Sequence, residues 1–291
     1  MENYLLSQSN SLLLVISISL IFSFLGIFYS KQFKGLSNYL TANRNIESFS
    51  LTLSLVASAL GAWILFGPAS AATWGGMGAV IGYALGTAFP MIAFIFLGKK
   101  IRKDFKKGST LIEFVRKKFG KSLFKLVLLM SIFYMFIFLC AELTAVAFLI
   151  NYISGTELWI TSLIIIISTL VYTLYGGLRA SIFTDNIQMI VIFILLIVSF
   201  NYILNFNADQ FSLAFIKEKS PHLVSANYVP SYTAGLTFFI AVAATNLFHQ
   251  GNWQRVYAAK NYETLKKSLL VSFLIIIPIV FFMGFSGLVA I

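Results

Sequence analysis

Asn246, His249 and Gln250 fall three and four residues apart inside the otherwise apolar run Ser231–Trp253. On a helix this spacing puts all three on one face. Polar side chains that deep in an apolar run are costly unless they face a cavity or another helix. An imidazole between two amides suits hydrogen bonding to a small polar solute, and it suits helix packing equally well. Two acids, Glu142 and Asp185, also lie inside apolar runs. A carboxylate near mid-bilayer costs on the order of 2.5–3.5 kcal/mol on insertion scales, so each is a functional candidate. Asp185 follows Arg179 by six residues near the end of its run, so snorkelling with pairing is the simpler reading for it. Glu142 has no such neighbour. The third anomaly is the stretch from Gly61 to Gly86, with seven glycines and Pro68. Small residues let helices approach closely, and they also permit unwinding, which frees carbonyls to coordinate a cation.

The elements that must carry these residues follow from composition. The chain has 291 residues, 59% of them hydrophobic and 11% charged, with mean hydropathy +0.88. So few charges cannot cover a water-facing surface, which excludes a soluble enzyme or a DNA-binding domain. One cysteine, Cys140, excludes a disulfide framework. A hydrocarbon core of roughly 30 Å needs about 20 apolar residues per helix. Eight runs meet that length: 11–29, 49–67, 77–98, 122–150, 158–175, 182–204, 231–253 and 269–291. The expected fold class is therefore an all-α polytopic membrane protein with eight transmembrane helices. Alternate loops divide the Lys and Arg residues nineteen to two, with only Lys217 and Lys219 in the minority set. That bias puts the N-terminus outside and argues against reading the net charge of +11 as a nucleic-acid footprint. Thr110 and Glu113 form a capping box for a short helix on the inner membrane surface.

The run from Val171 to Gln188, Val-Tyr-Thr-Leu-Tyr-Gly-Gly-Leu-Arg-Ala-Ser-Ile-Phe-Thr-Asp-Asn-Ile-Gln, resembles the signature of the sodium:solute symporters. That family includes sodium–proline, sodium–galactose and urea symporters. Supporting matches are Ala57-Ser58-Ala59-Leu60-Gly61-Ala62-Trp63, Thr110-Leu111-Ile112-Glu113-Phe114 and Trp253-Gln254-Arg255. The resemblance implies a leucine-transporter-type inverted repeat. Residues 11–29 would be an extra N-terminal helix, 49–206 the first five-helix repeat, and 231–291 the first two helices of a truncated second repeat. The chain stops inside an apolar run, so the expectation is a single membrane domain that is the N-terminal portion of a longer transporter.

The same resemblance implies sodium as co-transported ion, held by carbonyls of Ala57 and Leu60, with Asp185 on its exit route. Substrate would sit beside Ala59, Trp63, Asn246, His249 and Gln250. Relatives often carry an acid or amide where this chain has Ala59, a departure from the pattern. The expected activity is sodium-coupled import of a small polar solute (urea, an amino acid such as proline, or a sugar) across the cell (inner) membrane by alternating access. The alternative is the sensor domain of a symporter–kinase fusion. An intramembrane enzyme built on His249 and Glu142 lacks a second intramembrane His, a GxSxG or an HExxH motif, so the chain is not expected to be an enzyme.

Overall fold

The computed structural model describes residues 4–105, 108–206 and 209–291. Among the described residues, ten α-helices run in chain order. They are α1 Gln8–Ser30, α2 Leu36–Thr41, α3 Ser48–Ala59, α4 Gly67–Asp104, α5 Leu111–Ser154, α6 Leu158–Phe206, α7 Leu213–Lys219, α8 Val229–Phe248, α9 Gln250–Ala258 and α10 Tyr262–Val289. Six of them (α1, α4, α5, α6, α8 and α10) are long and apolar enough to cross a membrane. The chain is a multi-pass membrane protein. Leu13, Phe24, Phe133, Ile137 and Ile194 lie exposed on the outside of the bundle, where acyl chains replace water as solvent. One of the six helices holds two apolar runs of the sequence. α6 contains both 158–175 and 182–204, and it kinks at Gly177, where φ is +58. A side chain there would strain the backbone and would also meet the Tyr39 carbonyl.

The buried centre is formed by α3, α4 and α10, with α9 closing one end. Glycines on α4 set its approach to α8. A Cβ at Gly78, Gly82 or Gly86 would meet the backbone of Ser231, Gly235 or Phe238 at 1.9, 2.2 and 2.9 Å. These three, spaced four apart, are packing glycines, while Gly61 belongs to a helix break described below. The two uses of small residues therefore both occur, at different positions in the same stretch. α1 lies along α6, joined by a Ser23–Ser168 hydroxyl pair at 2.8 Å and a Tyr29–Phe183 ring stack at 4.0 Å.

Short devices fix the ends of these elements. The Thr110 hydroxyl accepts from Glu113 N–H at 3.2 Å, and the Glu113 carboxylate accepts from Ser109 N–H at 2.8 Å. Thr110 caps the helix as expected, while the return bond from Glu113 goes one residue earlier, to Ser109, and a kink at Gly120 sets the first turns of α5 apart from the rest. On the same side, the linkers before α3 and α10 are stitched together. Ile46 N–H donates to the Ala258 carbonyl (3.1 Å) and Lys260 N–H to the Ile46 carbonyl (3.0 Å). Arg102, near the end of α4, donates to the Val256 and Ala259 carbonyls at 2.5 and 2.8 Å.

Candidate solute and cation site

The α-helical ladder of α3 ends with Leu60 N–H donating to the Val56 carbonyl at 2.9 Å. Leu60 then leaves helical geometry (φ −108, ψ 63), Gly61 is extended, and a 3-10 turn spans Ala62–Leu65 before α4 begins. Among the described residues, no backbone N–H returns to the carbonyls of Ala57, Ser58, Ala59 or Leu60. A helix end leaves four acceptors unpaired in this way, and a buried end needs a partner for them. Glu142, from α5, meets the other side of the break. Its carboxylate accepts from Ala62 N–H at 2.5 Å and from Trp63 N–H. A Cβ at residue 61 would sit 1.7 Å from Glu142 Oε1, so only glycine admits the carboxylate there.

The second break lies at His249, between α8 and α9. This corrects the expectation of one continuous face for Asn246, His249 and Gln250. Asn246 is in the last turn of α8, His249 is extended (ψ 112), and Gln250 opens α9. The reason is local competition for hydrogen bonds. Asn252 and Trp253 send side-chain N–H groups back to the carbonyls of Asn246 (3.3 Å) and Leu247 (2.8 Å), replacing the helical partners of those carbonyls. His249 is 6% exposed and touches Phe138 of α5 at 4.9 Å between ring centroids, with Tyr134 at 6.2 Å. Gln250 Nε2 lies 3.4 Å from Ser131.

The two breaks adjoin. Ser58 donates to Asn252 Oδ1 at 3.1 Å, and one stripe of α5 (Ser131, Tyr134, Phe138, Glu142) runs from the second break to the first. Phe138 and Glu142 are four residues apart, roughly 6 Å along a helix. The structure thus brings Ala57, Ala59, Leu60, Trp63, Glu142, Asn246, His249 and Gln250 to one region. Nine buried side-chain nitrogen or oxygen atoms lack a hydrogen-bond partner among the described residues. Five of the nine are Trp63 Nε1, Glu142 Oε1, both ring nitrogens of His249 and Gln250 Oε1. Unpaired buried polar atoms are rare, and a cluster of them marks a place where a ligand, ion or water completes the bonding. By contrast, a cavity of about 540 Å³ between α4, α8 and residues 223–226 is lined mainly by apolar and small residues. Its Ser231 hydroxyl already accepts from Gly78 N–H, so no polar groups converge there.

Asp185, on α6, faces Ser54, about one turn of α3 before the first break. It pairs with Arg255 at 2.6 Å, which corrects the expected partner, Arg179. Arg179 instead donates to the Ala42 carbonyl and lies over the Phe33 ring at 3.9 Å. Arg255 is buried and Asp185 half-buried, with side-chain exposures of 7% and 16%. Ser54 completes it, donating to Asp185 Oδ2 (2.6 Å) and accepting from Arg255 Nε (2.7 Å). Ser50 lies 2.5 Å from the Asn186 amide. Reading by sequence missed Ser50 and Ser54, although with Ser58 they recur every fourth residue along α3. That polar stripe in an apolar run is the signal that would have exposed them.

The family model for the Sodium:solute symporter family matches residues 39–291. The chain belongs to that family. Its relatives in this symporter family include the spermidine transporter DUR31 of Candida albicans, 26% identical over 98% of this chain and 54% of the relative. The urea active transporter of Saccharomyces cerevisiae is 23% identical over 82% of the chain and 34% of its own length. The sodium/glucose cotransporter of Vibrio parahaemolyticus is 31% identical over 56% of the chain and 31% of its own length. The symporter-family chain spans about half or less of the length of these relatives. In fold it is similar to a Na+-coupled sialic acid symporter solved in a substrate-bound outward-open state. The TM-score is 0.72 at 17% identity, covering 97% of this chain and 60% of that one.

Proposed function

We propose that this chain forms part of a sodium-coupled secondary transporter that imports a small polar solute across the cell (inner) membrane by alternating access. The observation that carries the reading is the pair of adjoining helix breaks with their unpartnered polar atoms. Interrupted helices at corresponding places in two repeats are the usual seat of substrate and coupling ion in such carriers. Family membership and relatives named as transporters support the same class. The helix breaks and glycine kinks at 76, 120 and 177 are compatible with eight spans, N-terminus outside, arranged as one complete and one partial inverted repeat.

Sodium is the co-transported substrate in this reading. The carbonyls of Ala57 and Leu60, freed where α3 ends, are hard oxygen donors of the kind that suit it. The solute lies between the breaks, beside Ala59, Trp63, Asn246, His249 and Gln250. Binding there favours one arrangement of the broken helices over another, by as much as its affinity differs between them. Inward release passes Asp185, whose carboxylate can greet the cation only when Arg255 lets go. The exit step is thereby tied to opening of the α3–α6–α9 contact. The membrane potential adds about 2.3 kcal/mol per charge per 100 mV to inward movement.

The test is uptake into proteoliposomes by the full-length protein that carries this chain, with an imposed sodium gradient and an equal potassium gradient as control. Sodium-driven accumulation is expected, and Asp185→Asn is expected to weaken it several-fold. Accumulation indifferent to sodium would overturn the coupling. Unchanged sodium dependence in Asp185→Asn would remove that residue from the route.

A further inference from the structure

We infer that the solute is an organic cation with N–H donors, and that Glu142 pairs with its ammonium group. This deepens the transporter reading above and rests on it.

The first argument is charge. Asp185 and Arg255, the other charges buried beside the two breaks, neutralise each other at 2.6 Å. Glu142 has no ion-pair partner among the described residues. One of its oxygens is held by the N–H groups at the start of the 3-10 turn, and the other, Oε1, is buried and unpartnered. A carboxylate inside an apolar span is stabilised by a nearby cation, and none of the described residues supplies one. Capping alone does not explain the second oxygen, because a cap needs only one.

The second argument is hydrogen-bond inventory. Among the described side chains around the breaks the unpartnered acceptors are Glu142 Oε1 and Gln250 Oε1. Among those side chains the fixed unpartnered donor is Trp63 Nε1, and a neutral His249 adds one donor and one acceptor. Counted on side chains, acceptors outnumber donors, and one of them is a carboxylate oxygen, which favours a ligand that brings donors. A primary ammonium brings three donors and no acceptor. A sugar hydroxyl brings one donor and two acceptor lone pairs, and the carboxylate of an amino acid would meet Glu142 as a like charge. The third argument is shape. Tyr134 and Phe138 share the stripe of α5 that carries Glu142, and Trp63 follows the break itself with its ring 5.9 Å from that of Tyr83. Ring faces beside a carboxylate suit an alkylammonium, which binds aromatic faces through cation–π attraction.

The experiment uses the full-length protein in proteoliposomes, with labelled putrescine, urea, proline and glucose offered separately under a sodium gradient. Sodium-driven uptake of putrescine is expected, competed by methylamine-type monoamines and not by 1,4-butanediol, its neutral analogue. Glu142→Gln is expected to lower putrescine uptake at least tenfold with a raised KM and an unaltered half-saturating sodium concentration. Glu142→Asp, which keeps the charge, is expected to recover part of it. Sodium-driven uptake of urea, proline or glucose without putrescine would overturn the inference and leave the transporter reading standing. Absence of sodium-driven uptake for all four would bring down both. A Glu142→Gln variant that shifts the sodium requirement instead of the putrescine KM would make Glu142 an ion ligand, and the inference would fall. Where Glu142→Gln does not fold, thermal unfolding of the wild-type protein decides. Putrescine must raise its Tm and 1,4-butanediol must not.

Discussion

Arg255 holds three acceptors at once, on Ser54, Gly251 and Asp185, and the network ties α3, α6 and α9 together. Removing one member of a buried pair strands the other charge, which costs roughly 3–5 kcal/mol. Arg255→Gln alone is therefore expected to lower the thermal midpoint of the purified protein sharply. The double variant Asp185→Asn with Arg255→Gln should recover much of the loss, read by thermal unfolding in detergent. A double variant no more stable than the single one would refute the pairing. Gly61→Ala makes a second test at this scale, since the added methyl needs space that Glu142 Oε1 occupies at 1.7 Å. Overpacking of this kind costs about 1–3 kcal/mol, and the carboxylate must leave the break. Sodium-driven uptake is expected to drop at least tenfold while membrane insertion, followed by surface labelling, persists. Sequence reading nominated Asp185 and Glu142 because a carboxylate in an apolar run is conspicuous. It could not find their partners, Arg255 and the N–H groups of Ala62 and Trp63, because these lie 70 or more residues away in the chain.

At the scale of elements, run length and loop charge made the apolar helices legible, and the helix cap at Thr110 was readable because its partner is three residues away. The location of the breaks was less so. Glycines at 61, 78, 82 and 86 look alike in sequence, yet one interrupts a helix and three seat α4 against α8. What separates them is the neighbour each one meets, a carboxylate for Gly61 and backbone for the others. Gly82→Val is accordingly expected to push α8 from α4 and destabilise the protein by about 1–3 kcal/mol, visible as a lowered Tm. A Tm equal to wild type would mean the helices have room to spare. The break at His249 was misread as a continuous face because nothing in the local pattern reveals that Asn252 and Trp253 take the carbonyls of α8. A cross-link reports on both breaks together. Cysteines at Ser58 and Asn252, placed in a Cys140→Ser background and joined by a short bifunctional reagent, are expected to abolish uptake reversibly. Full uptake after complete cross-linking would show that α3 and α9 need not part.

For the molecule as a whole, the asymmetry of Lys and Arg predicts its orientation. Single cysteines introduced at Lys117 and at Lys217 should differ in their reaction with a membrane-impermeant maleimide on intact cells. Only the second is expected to label, and the opposite pattern would invert the topology. The stitched linkers have a mechanical consequence. Ile46 grips Ala258 and Lys260, and Arg102 clasps Val256 and Ala259. The roots of α3 and α10, the tip of α4 and the short α9 are thus riveted into one plate. Any tilt of α3 that widened its break would drag the neighbouring roots along, so a cation arriving at one interruption would be felt at the other as torque, without any messenger between them.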